Sequence, residues 1–326
     1  MRPANNGSVF FPSGKRALAL AVGLLAVGLL ASAQQPQRRN GEFTLVRDVD
    51  LVVLHTTVVD RGGRLVTDLE AQNFAIFEND IKQKLSVFRR EDVPITVGLV
   101  LDNSASMTEK REEMRAGALA FVELANPSDE FFVVNFNSDY YLDLESGDFT
   151  NDMDVLQAAL LKTKTRGGTA FYDALRASLK HIHRGSRQKK ILLVITDGVD
   201  HLSYSTYEAM LLDAQQSETA LYLVGLPCTE EKRDCRRARR ILRKLADVTG
   251  GMAYFPISLD QVQTLCRQIA HDIRNQYILA YYPTNRAQDG SFRRVRVKVD
   301  APKRYKKVVA RHRPGYYASS DQNGAH

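Results

Sequence analysis

The sequence predicts an α/β fold: a central, mostly parallel sheet of six strands flanked by helices, carried between two β-rich flanks that combine into a small sandwich-like unit. Three observations predict it. Between Pro94 and about Gln276, short β-branched runs alternate with longer stretches of helical period, the pattern of a parallel sheet covered on both faces. The run Ile95–Leu101 is apolar except for Thr96, rich in β-branched and aliphatic residues and too short for a capped helix, so it reads as a strand buried on both sides. At both ends of the chain the period changes to two.

In chain order, Lys15-Arg16, an apolar run from Ala17 to Leu30 and Ala31-Ser-Ala33 form the basic, hydrophobic and cleavage regions of a signal peptide over 1–33. A membrane anchor is the competing reading, but the run is short against the roughly 20 residues a span needs. Residues 34–41 are polar and read as a linker. The flank 42–92 holds strand-like segments at Glu42–Arg47 and Val49–Val59, a turn at Asp60-Arg-Gly-Gly63, and a hairpin across Phe74–Phe88 about Glu78-Asn79-Asp80. The α/β unit occupies 93–276. Its expected strands after the first are Phe131–Phe136, Tyr141–Leu144 as an antiparallel edge, Lys190–Thr196, Ala220–Leu226 and Met252–Pro256. Apolar stripes mark the helices between them, beginning with Met114, Ala118, Phe121 and Val122. The flank 277–317 returns to strands at Tyr277–Tyr282, Phe292–Val299 and Lys307–Arg313, and is expected to pair with 42–92. Residues 318–326 read as a disordered tail.

The candidate chemistry lies at strand ends. Asp102, Ser104 and Ser106 follow the Ile95–Leu101 strand, Thr169 stands in a Gly-Gly loop before a helix, and Asp197 follows the buried run Ile191–Thr196. Loops at the carboxyl edge of an open α/β sheet are where such folds bind ligands. Two carboxylates and three hydroxyls are hard oxygen donors with no thiolate or imidazole, a set suited to Mg²⁺ or Mn²⁺ rather than Zn²⁺ or Cu²⁺. Taken singly, each loop could equally be a capped turn whose Ser or Asp serves backbone N–H groups.

The order D-x-S-x-S, then Thr, then Asp resembles the metal-ion-dependent adhesion site of von Willebrand factor type A domains, a Rossmann-like fold; Ala105 stands where Gly is frequent. The resemblance implies that Ser104 and Ser106 ligate the metal through their hydroxyls, that Thr169 ligates directly or through water, and that Asp102 and Asp197 act mainly through bound waters. It also implies an open position for an Asp or Glu of a protein partner. The flanking segments Leu69–Phe74, Phe77–Asp80, Tyr277–Pro283 and Arg313–Tyr317 look like those of a bacterial, Acidobacteria-type family of exported proteins related to the same domain. The expected function is therefore an exported, non-enzymatic adhesion or protein-binding module, periplasmic or secreted. Tyr172, Tyr204 and Asp200 are candidates for the rim of the partner surface.

Other constellations carry less. No G-x-S-x-G elbow, P-loop or dinucleotide glycine pattern is present. A hydrolase using the same ion would need a general base, for which Asp173 and Asp200 are the nearby candidates; a structural envelope protein in which the metal only staples loops is the other alternative. The chain is basic, with formal charge +7, and three of its cations (Arg2, Lys15, Arg16) belong to the leader. The run Lys232–Lys244 sets its charges opposite an apolar stripe at 238, 241, 242 and 245, as a solvated helix face does; it is also the place where an anionic envelope surface would make contact. Nucleic acid is not an expected partner of an exported chain. In an oxidising compartment Cys228 and Cys235 would close a short loop, worth roughly 2–3 kcal/mol, or they stand as two surface thiols. Cys266 lies on an apolar stripe and reads as a buried free thiol.

Overall fold

The computed structural model describes residues 51–144, 149–162, 164–305 and 307–320. The expected leader, linker, first strand at Glu42–Arg47 and the end of the tail from 321 lie outside these residues. The N-terminal flank contains β1 (Val52–Asp60), β2 (Phe74–Glu78), β3 (Ile81–Gln83) and β4 (Val87–Arg89). The α/β unit follows as β5 (Ile95–Asp102), α1 (Arg111–Val122), β6 (Glu130–Phe136), β7 (Tyr140–Leu142), α2 (Met153–Lys162) and α3 (Phe171–Ile182). It continues through β8 (Lys189–Thr196), α4 (Tyr207–Gln216), β9 (Ala220–Gly225), α5 (Lys232–Thr249), β10 (Met252–Tyr254) and α6 (Gln261–Arg274). The C-terminal flank is β11 (Tyr277–Tyr281), β12 (Phe292–Val299), β13 (Val308–Arg311) and β14 (Gly315–Tyr317).

Six strands form the central sheet in the order β10-β9-β8-β5-β6-β7. All neighbours are parallel except β7, which runs antiparallel to β6 at the edge. Every residue of β5 is buried because each face of the sheet carries its own apolar layer. On one side Ile95, Val97, Leu99 and Leu101 pack with the inward residues of α1, α2 and α6. On the other, Val100 and the inner residues of β6, β8 and β9 pack with α3, α4 and α5. This two-sided cover explains why the strand reads as a continuous apolar run rather than an alternation. Among the described residues no helix is long and apolar enough to cross a membrane.

The two flanks share two further sheets, β13-β1-β11-β4 and β14-β12-β2-β3, each mixing strands from both ends of the chain. Leu54, Val58, Ile76, Leu279, Tyr281 and Val295 meet in one core between them. On β12, Arg294, Arg296 and Lys298 are exposed while Val295 and Val297 face inward. The hairpin of β2 and β3 turns through Asn79 and Asp80, which take φ of 46° and 67°, a backbone Asn and Asp tolerate better than other side chains. The single hairpin expected across Phe74–Phe88 is instead divided between the two sheets. Ser86 N–H donates to the Ala280 carbonyl at 2.8 Å, which carries the chain away from β3 and delivers β4 to β11.

The flanks meet the α/β unit at the amino edge of the central sheet. There Gln276 Nε2 donates both to Thr57 Oγ1 at 2.9 Å and to the Tyr222 hydroxyl at 3.0 Å, and Lys189 Nζ donates to the Ile273 carbonyl at 2.6 Å. The metal-type residues lie at the opposite, carboxyl edge.

Candidate metal centre

Asp102 is the last residue of β5 and Asp197 follows the last residue of β8; the two strands are adjacent and parallel, so both carboxylates emerge from one sheet edge. Beyond Asp102 the chain enters a 3-10 turn, Ala105–Lys110, before α1. That turn swings Ser106 back over the sheet, where its hydroxyl donates to Asp197 Oδ2 at 2.7 Å. Ser104 Oγ lies 3.2 Å from Ser106 Oγ. Asp102 is wholly buried: Oδ1 accepts from the Ser104 N–H at 2.9 Å and Oδ2 from the Thr196 hydroxyl at 2.6 Å. Burial, with the Asp197 charge adding to it, pushes the Asp102 carboxyl up to about 6 against the opposing hydrogen bonds of Ser104 and Thr196.

The glycine loop is clamped against both carboxylate loops. Ala105 N–H donates to the Gly167 carbonyl, Arg166 N–H to the Asn103 carbonyl and Ala170 N–H to the Asn137 carbonyl, while the Thr169 carbonyl accepts from His201 and Leu202. Gly167 has φ +69°, and a Cβ there would lie 2.4 Å from Ser138 Oγ, so this position requires glycine. Thr169, 3% exposed, is thereby held in the same buried cluster of loops. Asp102, Ser104, Ser106, Thr169 and Asp197 are thus carried by three segments that hydrogen-bond to one another.

Two further residues belong to this cluster. Lys110 is 5% exposed, and its ammonium sits 3.1 Å from Asp197 Oδ2. Its signal was the helical stripe: extended back from Met114 by one turn, the inward face of α1 reaches position 110, with Met107 three residues earlier. Thr196 orients Asp102 and also accepts the Gly198 N–H at 2.8 Å. Nothing in a hydroxyl at the end of an apolar strand marked it for that task. Beneath, Asn103 Nδ2 donates to Asn135 Oδ1 at 2.8 Å, bracing the Asp102 loop against β6.

The rim differs from expectation. Tyr204 is 99% exposed, whereas Tyr172 is 7% exposed and packs among Phe171 and Tyr207; as the second residue of α3 it belongs to the core layer on that side of the sheet. Asp200 is half-buried, its Oδ1 taking the Tyr172 N–H at 3.2 Å and the Ser203 hydroxyl at 2.6 Å. Asp173 accepts from Tyr204 N–H at 2.7 Å and Ser205 N–H at 3.0 Å. Both acids are committed to shaping the loop that carries Tyr204. Cys228 and Cys235 are joined by a disulfide, and Cys266 is a buried free thiol whose ionisation burial pushes up to about 12.

Among the described residues no group of three or more His, Cys, Asp or Glu converges as a metal cluster; the set here is two carboxylates with hydroxyls. Its spacing fits a small hard cation. Mg²⁺ ligands at about 2.1 Å place neighbouring oxygens about 3 Å apart, the order of the Ser104–Ser106 and Ser106–Asp197 separations.

A six-stranded, mostly parallel α/β sheet with this arrangement at its carboxyl edge defines a class, and the family comparison agrees. Residues 97–199 match the model of the von Willebrand factor type A domain, and the chain contains a domain of that type. Among solved structures, a von Willebrand factor type A protein from Catenulispora acidiphila is similar at 12% identity and TM-score 0.50, over 82% of this chain and 75% of that one. The pilus adhesin SpaC from Lactobacillus rhamnosus GG is similar at 16% identity and TM-score 0.48, over 62% of this chain. The PilB minor pilin from Streptococcus sanguinis is similar at 12% identity and TM-score 0.45, over 56% of this chain. The likeness spans only 34% of the adhesin and 62% of the pilin. Similarity at these levels concerns the fold alone. No match is found among curated proteins.

Proposed function

We propose that the protein is an exported, non-enzymatic binding module that engages an Asp or Glu of a protein partner through Mg²⁺ or Mn²⁺ held by Asp102, Ser104, Ser106, Thr169 and Asp197. The observation that carries this reading is the chain of oxygens Ser104–Ser106–Asp197, in which Ser106 bridges from the Asp102 loop to Asp197, with the backbone of the Thr169 loop hydrogen-bonded to the segments on both sides. A hard dication there supplies an electrophilic position for an outside carboxylate. The protein's own groups set its strength. Ser104 and Ser106 contribute donors without charge, Thr196 fixes the Asp102 carboxylate, and Lys110 offsets one of the two negative charges. The set therefore under-neutralises a dication and leaves it receptive to a further anion.

The hydrolase alternative loses support because Asp173 and Asp200, the nearby candidates for a base, are both engaged by loop N–H and hydroxyl donors. Export is supported by the disulfide, since such bonds persist in oxidising compartments. Titration calorimetry of Mg²⁺ into the purified chain tests the metal reading. Saturable binding, weakened at least tenfold in Asp102→Ala and Ser104→Ala, is expected; no heat, or heat unaffected by either substitution, would remove it.

A further inference from the structure

The outward face of α5 is a dense positive surface with almost no carboxylate partner among the described residues. Lys232, Arg233 and the pairs at 236–237, 239–240 and 243–244 are all exposed. Among the described residues only Arg233 has a carboxylate within salt-bridge range, that of its own neighbour Asp234 at 3.8 Å. The basic strand β12 makes the contrast. There Arg294 and Arg296 both pair with Asp80, and Arg296 and Lys298 lie over the Phe77 ring, so its charge is used internally. On α5, Arg239 and Arg243 lie over Phe255 at 5.2 and 4.8 Å, which holds two guanidinium groups in place without neutralising them.

The position of this face matters as much as its charge. Gly198, one residue beyond Asp197, packs so closely on α5 that a Cβ there would lie 3.0 Å from Leu242 and 3.3 Å from Ala238. The Cys228–Cys235 disulfide fastens the loop after β9 to the first turns of α5, so the amino end of the helix is fixed at the sheet edge that carries the metal loops. The basic face, from Lys232 to Lys244, therefore starts at the sheet edge that carries the metal loops and extends for about 20 Å along the helix, at about 1.5 Å per residue.

We infer that α5 is a second contact for the ligand of the metal loops, and that this ligand is an acidic polypeptide segment carrying further Asp or Glu residues along the basic face. The inference rests on the adhesion-site reading for the first carboxylate and on charge complementarity for the rest. A polypeptide fits better than a lipid surface. The apolar residues of α5 (Ala238, Ile241, Leu242, Leu245) are buried in the core, and none of the exposed large hydrophobic side chains falls on this helix, so the face has nothing to insert into a bilayer.

Poly-L-glutamate binding, measured with and without Mg²⁺, tests it, alongside vesicles containing phosphatidylglycerol. Wild type is expected to bind poly-L-glutamate, with affinity falling steeply as salt rises. The exposed triple variant R237E/R240E/K244E is expected to lose at least tenfold in that affinity while retaining the wild-type Mg²⁺ isotherm and melting temperature. Asp102→Ala should remove only the Mg²⁺-dependent increment. If wild type takes up no Mg²⁺ yet binds poly-L-glutamate through α5, the metal reading fails and the acidic-ligand face stands. Unchanged poly-L-glutamate affinity in the triple variant would overturn the inference, as would α5-dependent capture of vesicles with no binding of poly-L-glutamate.

Discussion

At the scale of single residues, the feature with the sharpest consequence is Lys110. Its buried ammonium faces the same Asp197 oxygen that receives the Ser106 hydroxyl, so it and a bound dication would repel each other across a short, poorly screened distance. Lys110→Met is expected to tighten Mg²⁺ binding by about tenfold, or about 1.4 kcal/mol. Without divalent ions the same variant leaves Asp197 buried and unpaired, and should lose about 3–5 kcal/mol of stability. Calorimetry and chemical denaturation in EDTA, each against wild type, measure the two effects, which must have opposite signs. In the sequence Asp102 and Asp197 stand out because each comes at the end of a buried strand, Ser104 and Ser106 because they follow Asp102 at alternate positions, and Thr169 because it occupies a glycine loop. Lys110 and Thr196 were not singled out, since a lysine on a helical stripe and a threonine in a strand reveal their partners only when the loops are brought together. Tyr172 was misplaced for a related reason: its position next to the Gly-Gly loop gives its distance from the site, and only the phase of α3 shows that it points into the core.

At the scale of elements, the amino end of β8 and the neighbouring β1 carry buried groups that respond to pH. Burial pushes the Lys189 ammonium down to about 7, with the Arg274 charge adding to the effect, and pushes His55 down to about 3. Between pH 7 and the ordinary lysine range, the unfolded chain holds a proton that native Lys189 has released. Stability therefore rises with pH across that interval, by up to about 1.4 kcal/mol per pH unit from this group. Below the ordinary histidine range the unfolded chain likewise takes up a proton that native His55 refuses, so acid removes stability. Urea denaturation at pH 7 and pH 9 is expected to show the rise in wild type and a flatter profile in Lys189→Met; equal slopes would assign the dependence elsewhere. The elements themselves were readable from period and β-branching, including the antiparallel edge strand. The split of the first flank between two sheets was not, because Lys84-Leu-Ser86 is compatible with either a bulged hairpin or a crossing, and the Ala280 carbonyl that decides it is almost two hundred residues away.

At the scale of the whole molecule, the two ends of the chain complete each other. β1 lies between β11 and β13, and β2 pairs with β12, so neither flank has a full core alone. Truncation after Gln276 is expected to strip β1 of both partners, expose Leu54, Val58 and Ile76, and increase binding of a hydrophobic dye, with loss of a single cooperative melting transition. The pairing is legible in the sequence because neither end has strands enough to close a sandwich, but the register is not, because period two gives faces and not neighbours. Both connections to the flanks leave the α/β unit at the sheet edge remote from Asp102 and Asp197. A ligand tugged away from the oxygen cluster would stretch the unit from pole to pole, with tension divided between two covalent leads rather than concentrated in one.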